Sequence, residues 1–261
     1  MLPALWVSKT GLSAQDTQLA AIANNLANVS TTGFKRDRVE FEDLMYQIRR
    51  QPGAASSQQS ELPSGLQLGT GVRVVGTQKL FSAGNPQNTE HPMDLAIDGR
   101  GFFQVMLPDG NIGYTRAGSF HLNGEGQMVT AQGFVLEPAI SLPAEVKKFS
   151  VGEDGSVSIT TAGDSQAQEI GNIQLADFIN PAGLEAIGGN LFVETTASGA
   201  PRVGTPGLDG IGALKQGTLE GSNVSVVEEL VNMITTQRAY EMNSKVIASA
   251  DQMLGFITQT L

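Results

Sequence analysis

The stretch QLAAIANNLANVSTTGFKRDRVEFEDL, Gln18–Leu44, decides how this chain is read. Its first half has helical periodicity. Leu12, Leu19 and Leu26 lie seven residues apart, and Ile22 and Val29 fall between them, which makes an a/d seam of period 3.5. The spacing predicts a helix from about Leu5 to Val29, closed by STTGFK, where Gly33 can take a left-handed turn. Three asparagines, Asn24, Asn25 and Asn28, interrupt the alanine-rich run at positions f, g and c, off the seam. Asparagine forms helix poorly and is costly to bury unbonded. Between Asp16 and Lys35 there is no charged residue over 18 positions. A helix buried on one face normally shows charge on the other. An uncharged alanine–asparagine face instead suits a helix surrounded on all sides. Two arrangements remain open from these residues: a helix enclosed by other subunits, or a single helix buried inside a monomeric domain.

The far end of the chain is similar. From Asn223 to about Leu254 the pattern is again helical, with Asn223 or Ser222 as candidate caps. Val227, Val231 and Ile234 form one stripe. Met242 and Val246 resume it after a polar break at Gln237-Arg238, and Gly255 is expected to fray the last turn. Leu12, Leu19, Ile22, Leu26 and Val29 on one helix, and Val227, Val231, Ile234, Met242 and Val246 on the other, are the candidate packing residues within or between subunits. Asn24, Asn25 and Asn28 are candidates for contact with other copies.

β signals fill the middle. Leu66–Phe81 reads as strand, and Asp109-Gly110, Asn123-Gly124 and Asp154-Gly155 read as hairpin turns between β-prone runs. The expected fold class is therefore α+β: paired, coiled-coil-like N- and C-terminal helices with a central, mostly antiparallel β domain. The expected division is a helical domain of residues 1–35 plus 222–261, a connecting region of 36–90 plus 196–221, and an outer β domain of 91–195. Tyr46–Gly65 is polar, has short side chains and carries Pro52 and Pro63, so composition alone reads it as a surface loop.

Charged residues are only 16% of the 261, and the net charge is -10, concentrated in the middle of the chain. That balance argues against nucleic acid, whose phosphates need a basic face. There is no cysteine, hence no disulfide, no thiol nucleophile and no cysteine-ligated zinc. No segment has the run of apolar residues that a membrane-spanning helix needs. GTGVRV and GRGFFQ lack the third glycine of a dinucleotide loop, and no Walker A, G-x-S-x-G or H-E-x-x-H pattern occurs. His91 and His121 read as solvated or packed histidines, and Asp94 and Asp98 as flanking a short strand and its turn. No catalytic residue, cofactor or metal is expected.

Long motifs then carry a resemblance. ANNLANVSTTGFKRDRVEFEDL and SNVSVVEELVNMITTQRAYEMNSKVIASADQML resemble the N- and C-terminal signatures of the bacterial flagellar rod and hook proteins. DLAIDGRGFFQV, YTRAGSF and GQMVTAQGF resemble that family's β domain. Within it, FEDLMYQIRRQPGAASSQQSELPSGLQLGTGVRVV is similar to the distal-rod members. The resemblance implies a structural subunit, exported unfolded by the type III apparatus. It implies polymerisation into a rigid tube in the basal body, spanning the periplasm and acting as a drive shaft. The terminal helices would line the tube and the β domain would face outward. Partners implied are further copies, the proximal rod proteins, the hook protein and the P and L ring proteins, with no membrane insertion. Under it Tyr46–Gly65 becomes an ordered, rod-stiffening segment, with Tyr46, Arg50, Pro52, Pro63 and Gly65 as its marked residues. A hook or proximal-rod subunit is the rival within the family. A periplasmic module binding a ligand on its acidic β domain is the rival outside it.

Overall fold

The computed structural model describes residues 3–51, 55–57, 60–61, 64–143, 146–161 and 166–259. By internal packing the chain forms two units. One comprises Met1–Ala27, Asp37–Gln78 and Ser225–Leu261; the other comprises Asn28–Arg36 and Lys79–Val224.

The first unit is helical with β ribbons. α1 spans Pro3–Ala27 and α2 spans Val226–Gln259, and they pack along each other. This is the helix pair the periodicity predicts, with shifted ends. α2 continues through Gly255, whose missing side chain costs helix stability but breaks no backbone hydrogen bond. Neither candidate cap sits at the start of α2. Ser222 Oγ accepts from Val224 N–H at 3.2 Å, and the Asn223 side chain is engaged with Arg36 and Leu80. The first intrahelical bond runs from Glu229 N–H to the Ser225 carbonyl. Glu228 and Glu229 in the first turn complement the positive helix end. Beside the helices, strand Asp37–Asp43 pairs with Val72–Lys79, and Gln47–Arg50 pairs antiparallel with Leu66–Leu68. The predicted strand Leu66–Phe81 is thus two strands. They part at Gly69–Gly71, where Gly71 adopts φ 121°, a backbone closed to most L-residues.

The second unit is almost wholly antiparallel sheet. Among the described residues its largest sheet has nine strands. Phe102–Met106 lies at the centre, paired with Ile112–Thr115, Val135–Glu137 and, at Phe102 and Phe103, Leu175–Asp177. Consecutive strand residues face opposite ways, so Phe102 and Phe103 feed two cores. Phe103 joins Leu95, Phe120, Met128, Leu136, Ile159 and Leu175 in the larger one, toward which the three-stranded sheet of Val146–Val151, Ser156–Thr161 and Gln168–Asn172 sends Phe149, Val157 and Ile159. Phe102 joins Tyr114, Phe178, Leu184 and Phe192 in the smaller, with Phe81 against it. Rings there meet edge to face, at 5.3 Å for Phe81–Phe102 and 4.8 Å for Tyr114–Phe178. Burial, with the Glu194 carboxylate next in effect, pushes the Tyr114 hydroxyl up to about 12. All three turn dipeptides form the hairpins expected. Asn123 Oδ1 accepts from the backbone of Glu125 and Gln127, and Asp154 Oδ1 from the backbone and hydroxyl of Ser156, the local bonds that make these residues turn formers.

Candidate assembly surfaces

The helix pair is held by an unexpected face of α2. Glu229, Met233, Thr236, Ala239, Asn243, Ile247 and Ala250 recur at three- and four-residue steps, and each is buried or half-buried. They make one helical stripe. On α1, Ser8, Gly11, Ala14, Gln15, Gln18 and Ile22 recur at the same steps and are likewise buried or half-buried. A Cβ on Gly11 would stand 3.1 Å from Asn243 Nδ2, so glycine there sets how closely the helices approach. Leu12, Leu19 and Leu26 are half-buried and Ile22 is buried. Val227, Val231, Ile234, Met242 and Val246 fall on another side of α2 and are 46% to 72% exposed. Periodicity located this stripe but could not say which of two helical faces the partner covers. The apolar one stays open, and the small, polar one is used within the chain.

The asparagines separate in the same way. Asn25 is 1% exposed and bonds the backbone of Asp37 at both ends of its amide, Nδ2 donating to the carbonyl at 3.0 Å and Oδ1 accepting from the N–H at 2.9 Å. It fixes the end of α1 to the start of the following strand, a contact inside the chain and not a face for other copies. Asn24 is exposed, its Nδ2 3.3 Å from an Asp37 carboxylate oxygen. In the second unit Asn28 is half-buried, accepting from the Thr31 hydroxyl at 3.1 Å, and Val29 beside it is half-buried.

The segment from Tyr46 begins as the antiparallel ribbon of Gln47–Arg50 and Leu66–Leu68. Met45, Tyr46, Ile48, Leu66 and Leu68 are all large, apolar and exposed. Arg50 is exposed and Gly65 half-buried, while Pro52 and Pro63 lie outside the described residues. A narrow ribbon with apolar side chains open to water is a surface that association would cover.

One site in the second unit had no counterpart in the sequence reading. Lys35, Arg116 and Glu220 are all nearly inaccessible. Glu220 Oε1 accepts from Lys35 Nζ at 2.7 Å and from Gly84 N–H at 2.9 Å, and Oε2 from Arg116 Nη1 at 3.3 Å. Lys35 Nζ also donates to the Ser82 carbonyl and Arg116 Nη2 to that of Gly99, both at 2.7 Å. Two cations thus share one carboxylate. Burial, outweighing the neighbouring carboxylate, pulls the Lys35 ammonium below its ordinary range. The same cluster closes the STTGFK turn. Gly33 N–H donates to the Glu220 carbonyl at 2.8 Å, and Gly33 has φ 70° with its would-be Cβ 2.6 Å from Ala117 N. The only hint in the sequence is isolation: Lys35 follows 18 uncharged residues, and Glu220 lies 185 positions away. Among the described residues no group of three or more potential ligands could hold a metal ion.

A paired-helix unit with open apolar surfaces, joined in sequence to a compact β unit, is the organisation of a protein made to associate. Family models agree, matching residues 5–35 ("Flagella basal body rod protein"), 96–159 ("Flagellar hook protein FlgE/F/G D1 domain") and 215–260 ("Flagellar basal body rod FlgEFG protein C-terminal"). The chain is 57% identical over 259 residues to the flagellar basal-body rod protein FlgG of Buchnera aphidicola subsp. Schizaphis graminum, covering 99% of this chain and 100% of that one. It is 46% identical to FlgG of Borreliella burgdorferi over 98% of this chain and 97% of that one, and 40% identical to FlgG of Bacillus subtilis over 97% of each. The chain belongs to the FlgG family of flagellar basal-body rod proteins.

Proposed function

We propose that this chain polymerises with copies of itself into the distal part of the basal-body rod, a stiff tube that carries torque from the motor to the hook. The end-to-end match to rod proteins carries the reading: it spans both helical termini, the ribbon segment and the β unit without a gap in coverage. The exposed apolar stripe of α2 and the exposed ribbon support it, since each is surface that assembly would bury. The work is mechanical, with no chemical step. Its partners are copies of itself, proximal rod proteins on one side, hook protein on the other, and the P and L rings around it, after delivery by the type III export apparatus. The residues proposed to pack between copies are the α2 stripe, Val227 to Val246, and the segment from Tyr46 to Gly65.

Electron microscopy of basal bodies from a strain lacking the gene tests this. The expected particle has a truncated rod with neither hook nor outer rings. A complete rod lacking only its hook would reassign the chain to the hook. Intact basal bodies in a strain with no second copy would remove it from the axial structure.

A further inference from the structure

The chain passes from one unit to the other at four peptide bonds, after Ala27, Arg36, Gln78 and Val224. At the second of these, between Arg36 and Asp37, each unit grips its own side of the bond through an asparagine amide. In the first unit Asn25 takes both backbone groups of Asp37, accepting from the N–H at 2.9 Å and donating to the carbonyl at 3.0 Å. In the second, Asn223 Oδ1 accepts from Arg36 N–H at 2.8 Å, and the Arg36 carbonyl accepts from Leu80 N–H at 2.9 Å. Asn223 Nδ2 donates to the Leu80 carbonyl at 2.7 Å, which closes a ring of three residues. Leu80 is the second residue past the crossing after Gln78, and Asn223 is next to Val224, where the chain crosses again.

Two consecutive residues, one in each unit, thus have all four of their backbone polar groups bonded. Asparagine suits the task, because its side-chain amide carries the donor and acceptor of a peptide group and can hold backbone as a neighbouring strand would. A link held up to the joining bond has no slack. Force applied to one side passes on without first drawing out loose chain, whereas a flexible, glycine-rich connector would extend before it carried load.

We infer that Asn25 and Asn223 make the Arg36–Asp37 link a rigid coupling through which the two units share torque. Asn223 gathers the crossings after Gln78 and Val224 into the same grip. This rests on the rod reading and names the residues that pass the load within one subunit.

Two measurements on the full-length chain test it. Asn223→Ala should speed hydrogen exchange of the Arg36 amide about tenfold or more, because its acceptor is lost, while Phe102–Met106 exchanges as in wild type. Unchanged exchange at Arg36, or faster exchange in both places, overturns the local grip. In the second measurement two glycines are inserted between Arg36 and Asp37, which adds slack and leaves both asparagines in place. The Arg36 and Asp37 amides should stay slow, since each grip lies within its own unit; fast exchange there overturns the assignment. Rods carrying the insertion should bend more in electron micrographs, with a persistence length about half the wild-type value or less. The same two glycines placed after Gly110, at an open hairpin turn, should leave rods as stiff as wild type. Insertion rods that match wild type refute the coupling and leave the rod reading standing. A wild-type chain that forms no rod removes the rod reading, and with it the load assigned to this link.

Discussion

Glu220→Gln is the sharpest test of what holds the β unit together. The substitution keeps size and one acceptor but removes the single negative charge among Lys35, Arg116 and Glu220. Lys35, Arg116 and Glu220 together carry a net charge of one; in the variant the two cations keep only the more distant Asp177 carboxylate, which acts on Arg116, and Lys35 loses its carboxylate partner. Removing one partner of a buried pair costs about 3–5 kcal/mol, because the remaining charge is left uncompensated. In a unit of about 155 residues each kcal/mol moves the melting midpoint by about 2–4 °C, so a fall of about 6–20 °C is expected. The sign of the pH dependence is also set. Lys35 titrates below its ordinary value of 10.5 in the folded chain. Between the two values the unfolded chain binds more protons, so stability rises with pH. Losing the Glu220 charge lowers Lys35 further and widens that window downward. The deficit of the variant should therefore shrink as pH is raised from about 7 toward about 10.5. Adding Lys35→Met restores the wild-type net charge and should recover part of the loss. The one tryptophan, Trp6, lies in α1 and reports on the other unit. The assay is calorimetry together with hydrogen exchange at Phe102–Met106. A loss under about 1 kcal/mol, or one that does not change with pH, would refute the reasoning, since a buried uncompensated cation can give neither.

Asn25→Ala removes both bonds to the half-buried Asp37 backbone, costing about 1–3 kcal/mol against about 0.6 kcal/mol gained in helix propensity. Faster exchange in Asp37–Asp43 with helix content unchanged is the expected result, and unaltered exchange would contradict the clamp. Gly33→Ala forces a Cβ to within 2.6 Å of Ala117 N at φ 70°; it should destabilise the β unit by more than about 1 kcal/mol in denaturant unfolding. Deleting residues 46–65 should give a rod that bends more in electron micrographs, while calorimetry of the β unit stays at wild type.

Some of this molecule was plain in its residues. Leu12, Leu19, Ile22 and Leu26 announced α1, and the turn dipeptides at Asp109, Asn123 and Asp154 announced three hairpins. Helical periodicity and turn chemistry act over a few neighbouring residues, so the chain carries them locally. The partner of each surface was not legible. Val227, Val231, Ile234, Met242 and Val246 read as packing residues within or between subunits; they are exposed in the single chain, where small and polar residues around Gly11 and Asn243 line the approach of the two helices. Asn25 read as a face for other copies, yet it clamps Asp37.

The residues by themselves determined two terminal helices, a β middle, a shortage of charge, and membership of a polymerising class. Tertiary structure alone decided which helix face is covered, which asparagine is buried, and that Lys35 and Arg116 meet Glu220 out of water. Amphipathic patterning states that a face will be covered without saying by what. An ion cluster drawn from residues 35, 116 and 220 exists only once the chain has brought distant segments within hydrogen-bond reach.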